Sequence, residues 1–290
     1  MTNHTLLIAL TFVSKIAFAQ YQPNQAEYGI FKFEKENYGV VKMSNKNNSL
    51  KVKYFAFKYN NKTIAKRYNE WQLNKNIICF SSAAYMDGPN EKIAKPKGLC
   101  IDQGKIINNN LIKGELDGLV MVYPSGKMTV HNLKNDEIQY DKGDGKQAKV
   151  NTSNIFQMTR FIEWAKEQEI TIFQTHLFYH KNQNLIIQTK GKLAARRFLA
   201  VGKDETGELK YYIINSNESL KLSAAAEKAI RYLRSFENLS TIEYMINLDT
   251  GGQDIFSVND HSGHKLNYPE LKGKISDLNV AVNLIVFSVD

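Results

Sequence analysis

The chain has 290 residues and a formal charge of +9, with 43% hydrophobic and 11% aromatic side chains. That length can bury a sizeable core, as one large domain or two small ones, and that apolar content excludes an intrinsically disordered chain. The positive charge favours anionic partners such as phosphorylated glycans, envelope polymers or lipid headgroups, but the dispersed basic residues (Lys62, Lys66, Arg67, Lys95, Lys97) form no recognisable nucleic-acid module, so no nucleic-acid partner is expected.

The N-terminal run LLIALTFVSKIAFA ends in Ala17, Phe18 and Ala19, an apolar stretch followed by a small-x-small cleavage pattern. It predicts a signal peptide over 1–19 and hence an exported protein, periplasmic or secreted; removing Lys15 takes the charge from +9 to +8. No later run approaches the length of a spanning helix, so no membrane span is expected.

From Tyr28 to Tyr59 apolar and polar residues alternate in successive stretches, which predicts antiparallel strands. NIICFSSAAY then gives a strand ending in the small residues Ser81 to Ala84, where another segment or a ligand can approach the backbone closely. Cys79 and Cys100 both fall in apolar strand-like segments, and either a disulfide or two buried thiols fits them. GLVMVYPSGKMTVHNL reads as a hairpin turning at Pro124, Ser125 and Gly126.

A helix is expected next, capped by Thr152 or Ser153, with Ile155, Met158, Phe161, Ile162 and Ala165 on its apolar face. ITIFQTHLFYHKNQNLIIQTK is read as one hairpin turning at Lys181 to Gln183, with Gln174 and His176 on a shared strand face. AARRFLAVGKDETGELKYYIIN follows as a hairpin turning at Thr206-Gly207, and its adjacent Arg196 and Arg197 must point to opposite faces. Ser219 or Ser223 is expected to cap a second helix, buried along Leu222, Ala226, Ile230 and Leu233. The last segment, LNVAVNLIVFSV, is apolar enough for a central strand covered on both faces.

No repeat or Pro-rich linker divides these elements, and the order predicts an α+β fold, with antiparallel or mixed sheets and two main helices packed against them. No HxH, HExxH or CxxC spacing occurs, and His261 with His264 in a polar loop is a weak signal, so neither a metal nor a cofactor is expected.

The most informative stretch is YMINLDTGGQDIFSV, Tyr244 to Val258. Met245, Asn247 and Asp249 alternate with Ile246 and Leu248, predicting a strand with one apolar face that ends at Asp249. Gly251 and Gly252 then permit positive φ and a close approach of backbone N–H groups to a ligand, flanked by the carboxylates of Asp249 and Asp254.

The order of five segments resembles the phosphodiester glycosidase family: KPKGLCIDQGK (Lys95 to Lys105), GLVMVYPSGKMTV (Gly118 to Val130), FQTHLFY (Phe173 to Tyr179), LAVGKDETGELKYYIIN (Leu199 to Asn215) and INLDTGGQD (Ile246 to Asp254). The resemblance spans about Lys51 to Val258, and it implies N-terminal strands over 20–50 followed by a glycosidase-like domain over 51–290. It implies hydrolysis of a sugar-1-phosphodiester between the anomeric carbon and the phosphate, with a glycan or sugar phosphate as partner. Asp249, Arg197 and His176 are then the catalytic candidates, and Ser82, Gln174, Thr175, Thr250, Gly251, Gly252 and Asp254 the substrate-binding ones.

The sequence departs from the family's pattern at several of these positions. Ser82 and Ala84 stand where members carry the Asn and Gly of N-x-G-[FY]-F, and Gln253 and Asp254 replace the two serines of D-G-G-G-S-S. The Arg of R-T-A-V-G falls on Phe198, one residue from Arg197, and His176 stands in place of the Gly of Q-S-G-P. A second reading therefore stands beside the first: a non-catalytic member that binds a glycan or an anionic envelope polymer.

Overall fold

The alternating segments assemble into three large antiparallel sheets that share one apolar centre, beside two two-stranded ones (Glu137–Asp141 with Gln147–Asn151, and Met86–Asp87 with Lys95–Pro96), so the fold is α+β. The computed structural model describes residues 19–21, 26–34, 36–56, 62–87, 94–142, 145–186, 191–260 and 262–289. The signal-peptide expectation for 1–19 lies outside them except at Ala19, as does His261.

The largest sheet has eight strands, in the spatial order Ala19–Tyr21, Ala26–Phe33, Glu36–Ser44, Leu209–Leu220, Ala194–Lys203, Thr241–Leu248, Leu177–His180 and Gln183–Asn184. A four-stranded sheet runs Phe256–Val258, Asn76–Ser81, Asn283–Val289, Leu50–Ala56, and a five-stranded one Met128–Asn132, Gly118–Val122, Thr171–Thr175, Cys100–Asp102, Lys105–Asn108. Each turns one face to a common core containing Val41, Tyr54, Ile78, Val120, Phe173, Leu199, Ile246 and Ile285. Tyr54 and Phe173 stack there, with centroids 4.4 Å apart and planes 10° from parallel, joining two of the sheets.

Each sheet's outer face is covered by one helix, because each helix has apolar residues at the spacing of a single stripe. Helix α1 (Ile64–Trp71) lays Ile64 and Tyr68 on Phe55, Ile77 and Leu284 of the four-stranded sheet. Helix α2 (Ile155–Glu167) lays Met158, Phe161 and Ala165 on Leu119, Met121 and Ile172 of the five-stranded one. Helix α3 (Leu222–Ser235) covers Phe198, Ala200 and Tyr212 of the eight-stranded sheet with Leu222, Ala226, Ile230 and Leu233. The two expected helices are α2 and α3, and α1 is an additional short one.

Several local expectations are corrected. Asn154 caps α2, its side chain accepting from the Phe156 and Gln157 amides, and Lys221 occupies the cap position of α3 without a side-chain bond. Ile155 begins α2 73% exposed, because the stripe that meets the sheet starts at Met158. The Thr241–Leu248 strand is covered on both faces, with Ile246 and Leu248 toward the common core and Met245 toward α3.

The expected hairpin turn at Lys181 to Gln183 forms, between Leu177–His180 and Gln183–Asn184, but its first arm is not one continuous strand from Thr171–Thr175 to Leu177–His180. Thr171–Thr175 pairs with Gly118–Val122 and Leu177–His180 with Thr241–Leu248, so the chain changes sheets at His176. Gln174 and His176 therefore share no strand face. Cys79 and Cys100 are buried free thiols.

Candidate active site

The three sheets bring their strand ends together around Asp249. Thr241–Leu248 ends one residue before it, Asn76–Ser81 ends beside it and continues as Ser82 to Tyr85, and Thr171–Thr175 delivers His176. The strand end carrying Asp249 is pinned by backbone: its N–H donates to the Ala83 carbonyl at 3.1 Å, and Ser82 Oγ donates to its carbonyl at 2.7 Å. Asn283 fixes the facing loop, accepting from the Ala83 and Ala84 amides at 2.8 and 2.9 Å and donating to the Ala84 carbonyl at 2.8 Å. Small residues at 81–84 are what let these backbones approach.

Beneath Asp249 lies a buried ion pair. Arg197 is fully buried, and its alternation with Leu199 and Val201 puts it on the face that looks into the common core. Its Nη2 meets Asp254 Oδ1 at 2.8 Å, Nε donates to Asn215 Oδ1 at 3.0 Å, and Nη1 donates to Ser81 Oγ and the Ile255 carbonyl, each at 3.2 Å. The guanidinium also sits 4.3 Å from the centroid of the Phe256 ring. All three nitrogens are thus engaged inside the protein.

The other polar candidates divide in the same way. Gln174 is fully buried: its Oε1 accepts from the Leu99 and Ile112 amides, and its Nε2 donates to the Ile112 and Leu116 carbonyls, so it ties the 109–117 loop to Leu99. Thr175 Oγ1 donates to the Asn247 carbonyl and Thr250 Oγ1 to the Ala195 carbonyl, and both residues are buried. Ser82 and Asp254 are buried as well. These six side chains, Arg197 included, shape the site from below.

Gly251 and Gly252 are exposed and His176 is half-buried, and the buried Asp249 carboxylate lies beside them. Asp249 is 5% exposed; burial raises its carboxyl above the ordinary 3.8, opposed by the Gly251 N–H and the Arg197 charge. The Gly251 N–H donates to Asp249 Oδ1 at 2.9 Å, while the Gly252 N–H has no acceptor among the described residues. Neither glycine has positive φ, contrary to the expectation. A Cβ on Gly252 would meet nothing within 4 Å, and one on Gly251 only Asp249 Oδ1 at 3.2 Å. What the glycines provide is open space over bare backbone, not a left-handed turn.

His176 Nδ1 lies 2.6 Å from the Glu115 carbonyl, which can only accept, so Nδ1 carries the proton. Burial lowers its pKa below 6.5, which favours the neutral ring with a free lone pair on Nε2.

Tyr85 and Arg196, both half-buried, border these residues, and the buried Asn247 is bonded to Tyr85. The Tyr85 ring stands edge-on to His176 at 5.0 Å, and its hydroxyl accepts from Asn247 Nδ2 at 2.7 Å. Burial and the Asp249 charge push the Tyr85 phenol well above its ordinary 10, and Arg196 opposes them, so both charges are close to the hydroxyl. Asn247 Oδ1 is buried without a partner among the described residues. Arg196, half-buried, is held by Nε on the Leu220 carbonyl at 3.0 Å and by Nη2 on the Lys192 carbonyl at 2.6 Å. A signal for Asn247 was present in the sequence, since it alternates with Asp249; Tyr85 and Arg196 were marked only by adjacency to motif residues.

His264 is exposed in its loop beside Asp260, remote in role from this cluster. Among the described residues no three His, Cys, Asp or Glu side chains converge as metal ligands, and no helix is long and apolar enough to cross a membrane.

No family model and no curated protein matches the chain. Among solved structures, it is similar to the zebrafish N-acetylglucosamine-1-phosphodiester alpha-N-acetylglucosaminidase catalytic domain auto-inhibited by pro-peptide, at 13% identity and a TM-score of 0.50, covering 96% of this chain and 88% of that one. A hypothetical protein from Synechocystis aligns at 9% identity and a TM-score of 0.49, over 91% of this chain and 62% of that one. The chain therefore has a fold like that of the catalytic domain of an N-acetylglucosamine-1-phosphodiester alpha-N-acetylglucosaminidase.

Proposed function

We propose that this protein is an exported hydrolase of sugar-1-phosphodiesters, with Asp249 as its central carboxylate. The observation that carries the reading is the pairing of a pinned, nearly buried carboxylate with an unused backbone donor: Asp249 is fixed by Ser82, Ala83 and Gly251, and Gly252 beside it leaves room for a ligand. The likeness of the fold to a phosphodiester-cleaving glycosidase supplies the substrate class.

In this reading a water oxygen attacks the anomeric carbon. The bond from that carbon to the bridging oxygen breaks, its electron pair stays on the phosphate, and the water's proton passes to a base. Asp249 faces the positive charge that develops on the sugar ring. Neutral His176, with Nε2 free, is the base. Arg196 and the Gly252 N–H receive the phosphate oxygens. Arg197 touches no substrate and acts as a positioning residue, setting the potential and geometry beneath Asp249.

One observation favours a non-catalytic glycan-binding protein instead: Arg197 is wholly consumed by internal partners, which leaves the half-buried Arg196 as the cation for phosphate. An assay of purified protein on alkyl phosphodiesters of N-acetylglucosamine-1-phosphate and glucose-1-phosphate separates the two. Hydrolysis abolished by Asp249→Asn supports catalysis; glycan binding without turnover in either protein supports the binder. Export is tested by N-terminal sequencing of the native protein: the expected start is Gln20, and retention of Met1 to Ala19 contradicts it.

A further inference from the structure

A recess lies away from Asp249. Gly118–Val122 and Thr171–Thr175 pair with Gly118 opposite Thr175 at the His176 end and Val122 opposite Thr171 at the other. Four residue steps separate those ends, about 13 Å along a strand. Past the far end, a cleft of about 300 Å³ opens between the Tyr123–Lys127 turn, Asp141–Lys142 and the C-terminal part of α2. That volume is at the small end of ligand pockets, roughly 300–1,000 Å³.

Its lining is unusual for a surface turn. Two aromatic side chains, Tyr123 and Trp164, stand among Lys127, Asp141, Lys142 and Gln168. Trp164 does not swing freely: its ring rests on Tyr140 with centroids 4.2 Å apart and on Phe161 at 5.9 Å. The indole N–H is buried with no hydrogen-bond partner among the described residues. Lys127 Nζ lies 5.9 Å from the Tyr123 centroid, keeping a cation at the rim.

A ligand that fits must offer apolar surface to two rings and hydroxyls to a mixed rim. A purely apolar ligand would desolvate Asp141 and Lys142 without compensation, and a polyanion would meet Asp141. A pyranose ring has the right make-up, with a face of C–H bonds and a girdle of hydroxyls that both donate and accept. We propose that this cleft is a carbohydrate-binding site for one pyranose unit of a glycan, with Trp164 and Tyr123 as its platform. On a polymeric substrate it would hold the chain near Asp249 and raise the local concentration of scissile bonds. The site extends the reading of Asp249 but does not depend on it, since binding here requires no hydrolysis.

The chain has two tryptophans, so Trp71→Phe leaves Trp164 as its one indole. That full-length variant is titrated with the trisaccharides of β-1,4-linked N-acetylglucosamine, β-1,4-linked glucose and α-1,4-linked galacturonic acid, following indole emission. The expected result is a saturable change with at least one of them. Calorimetry on otherwise native protein should then find affinity reduced about tenfold or more by Tyr123→Ala and by Gln168→Ala, and undiminished by Asp249→Asn. Trp164→Phe should weaken binding too, but it removes a core contact, so the two rim variants decide if it fails to fold. No saturable signal with any trisaccharide overturns the proposal. So does binding that survives Tyr123→Ala and Gln168→Ala but is lost in Asp249→Asn, because the sugar would then sit at Asp249. Failure of the hydrolysis assay alone leaves this result unaffected.

Discussion

The surface and the underside of the Asp249 region are built from the same sequence motifs but differ in kind. Nearest the surface, Gly251, Gly252, His176, Tyr85 and Arg196 flank the buried Asp249 carboxylate and keep groups that can still meet a ligand. Underneath, Arg197, Asp254, Gln174, Thr175, Thr250 and Ser82 are buried, with the polar atoms that matter engaged within the protein. The difference teaches that motif residues here are largely scaffold: they hold three strand ends in one place, and the hydrolysis we propose is left to a thin layer above them. A second contrast sharpens this. The Arg67–Asp102 pair, 2.6 Å apart and also buried, ties α1 to two sheets far from any candidate chemistry, whereas Arg197–Asp254 lies directly under Asp249.

The strongest way to break the comparison is to remove each buried arginine. Arg197→Met and Arg67→Met should each lose about 3–5 kcal/mol, because each leaves a buried carboxylate unpaired; denaturant unfolding measures this. Turnover per folded molecule should fall only in Arg197→Met, and an equal fall in both would make the underside of Asp249 no different from any other core. Gln174→Leu should follow at about 2–4 kcal/mol, since it strands the Leu99 amide together with one amide and two carbonyls of the 109–117 loop. A loss near zero would mean that this loop is held by other contacts.

A smaller effect separates glycines of the two layers. Gly252→Ala should change stability by no more than about 0.5 kcal/mol while weakening substrate binding, because its Cβ meets nothing within 4 Å. Gly273→Ala should destabilise clearly, since its Cβ would lie 2.3 Å from the Asp254 carbonyl oxygen. The smallest effect is in pH dependence. Burial raises the Asp249 pKa in the folded state, so the folded protein holds that proton more tightly than the unfolded chain. The resulting stability is fully present below the ordinary 3.8 and is lost as pH rises through the folded value. Asp249→Asn should therefore be more stable than the wild type at neutral pH, with the two converging under acid, as followed by thermal unfolding across pH.

Much of the fold was legible because it rests on short-range patterns. Alternation located the strands, the Gly126 and Gly207 turns fell where the hairpins required them, and the stripes of α2 and α3 repeated at helical spacing. The sheet change at His176 was not legible, because Thr171–Thr175 and Leu177–His180 alternate alike and only tertiary pairing tells them apart. In the site, Asp249 and its glycines stood out by composition. The roles of the two arginines did not: parity shows that they face opposite ways, but which face is core depends on the sheet stacked above. Tyr85 emerges only when the sheets converge, since it does not lie near His176 in sequence, whereas the alternation of Asn247 with Asp249 was visible but not its bond to Tyr85.

The most direct test of the central claim is release of free sugar from an alkyl phosphodiester of N-acetylglucosamine-1-phosphate by the wild type and by Asp249→Asn, each checked for native unfolding behaviour. The account expects steady release by the wild type, with an acid limb set by His176 below 6.5, and a rate at least about 10²-fold lower in the variant. Equal rates in the two proteins, or no release by a folded wild type that still binds glycan, would contradict it.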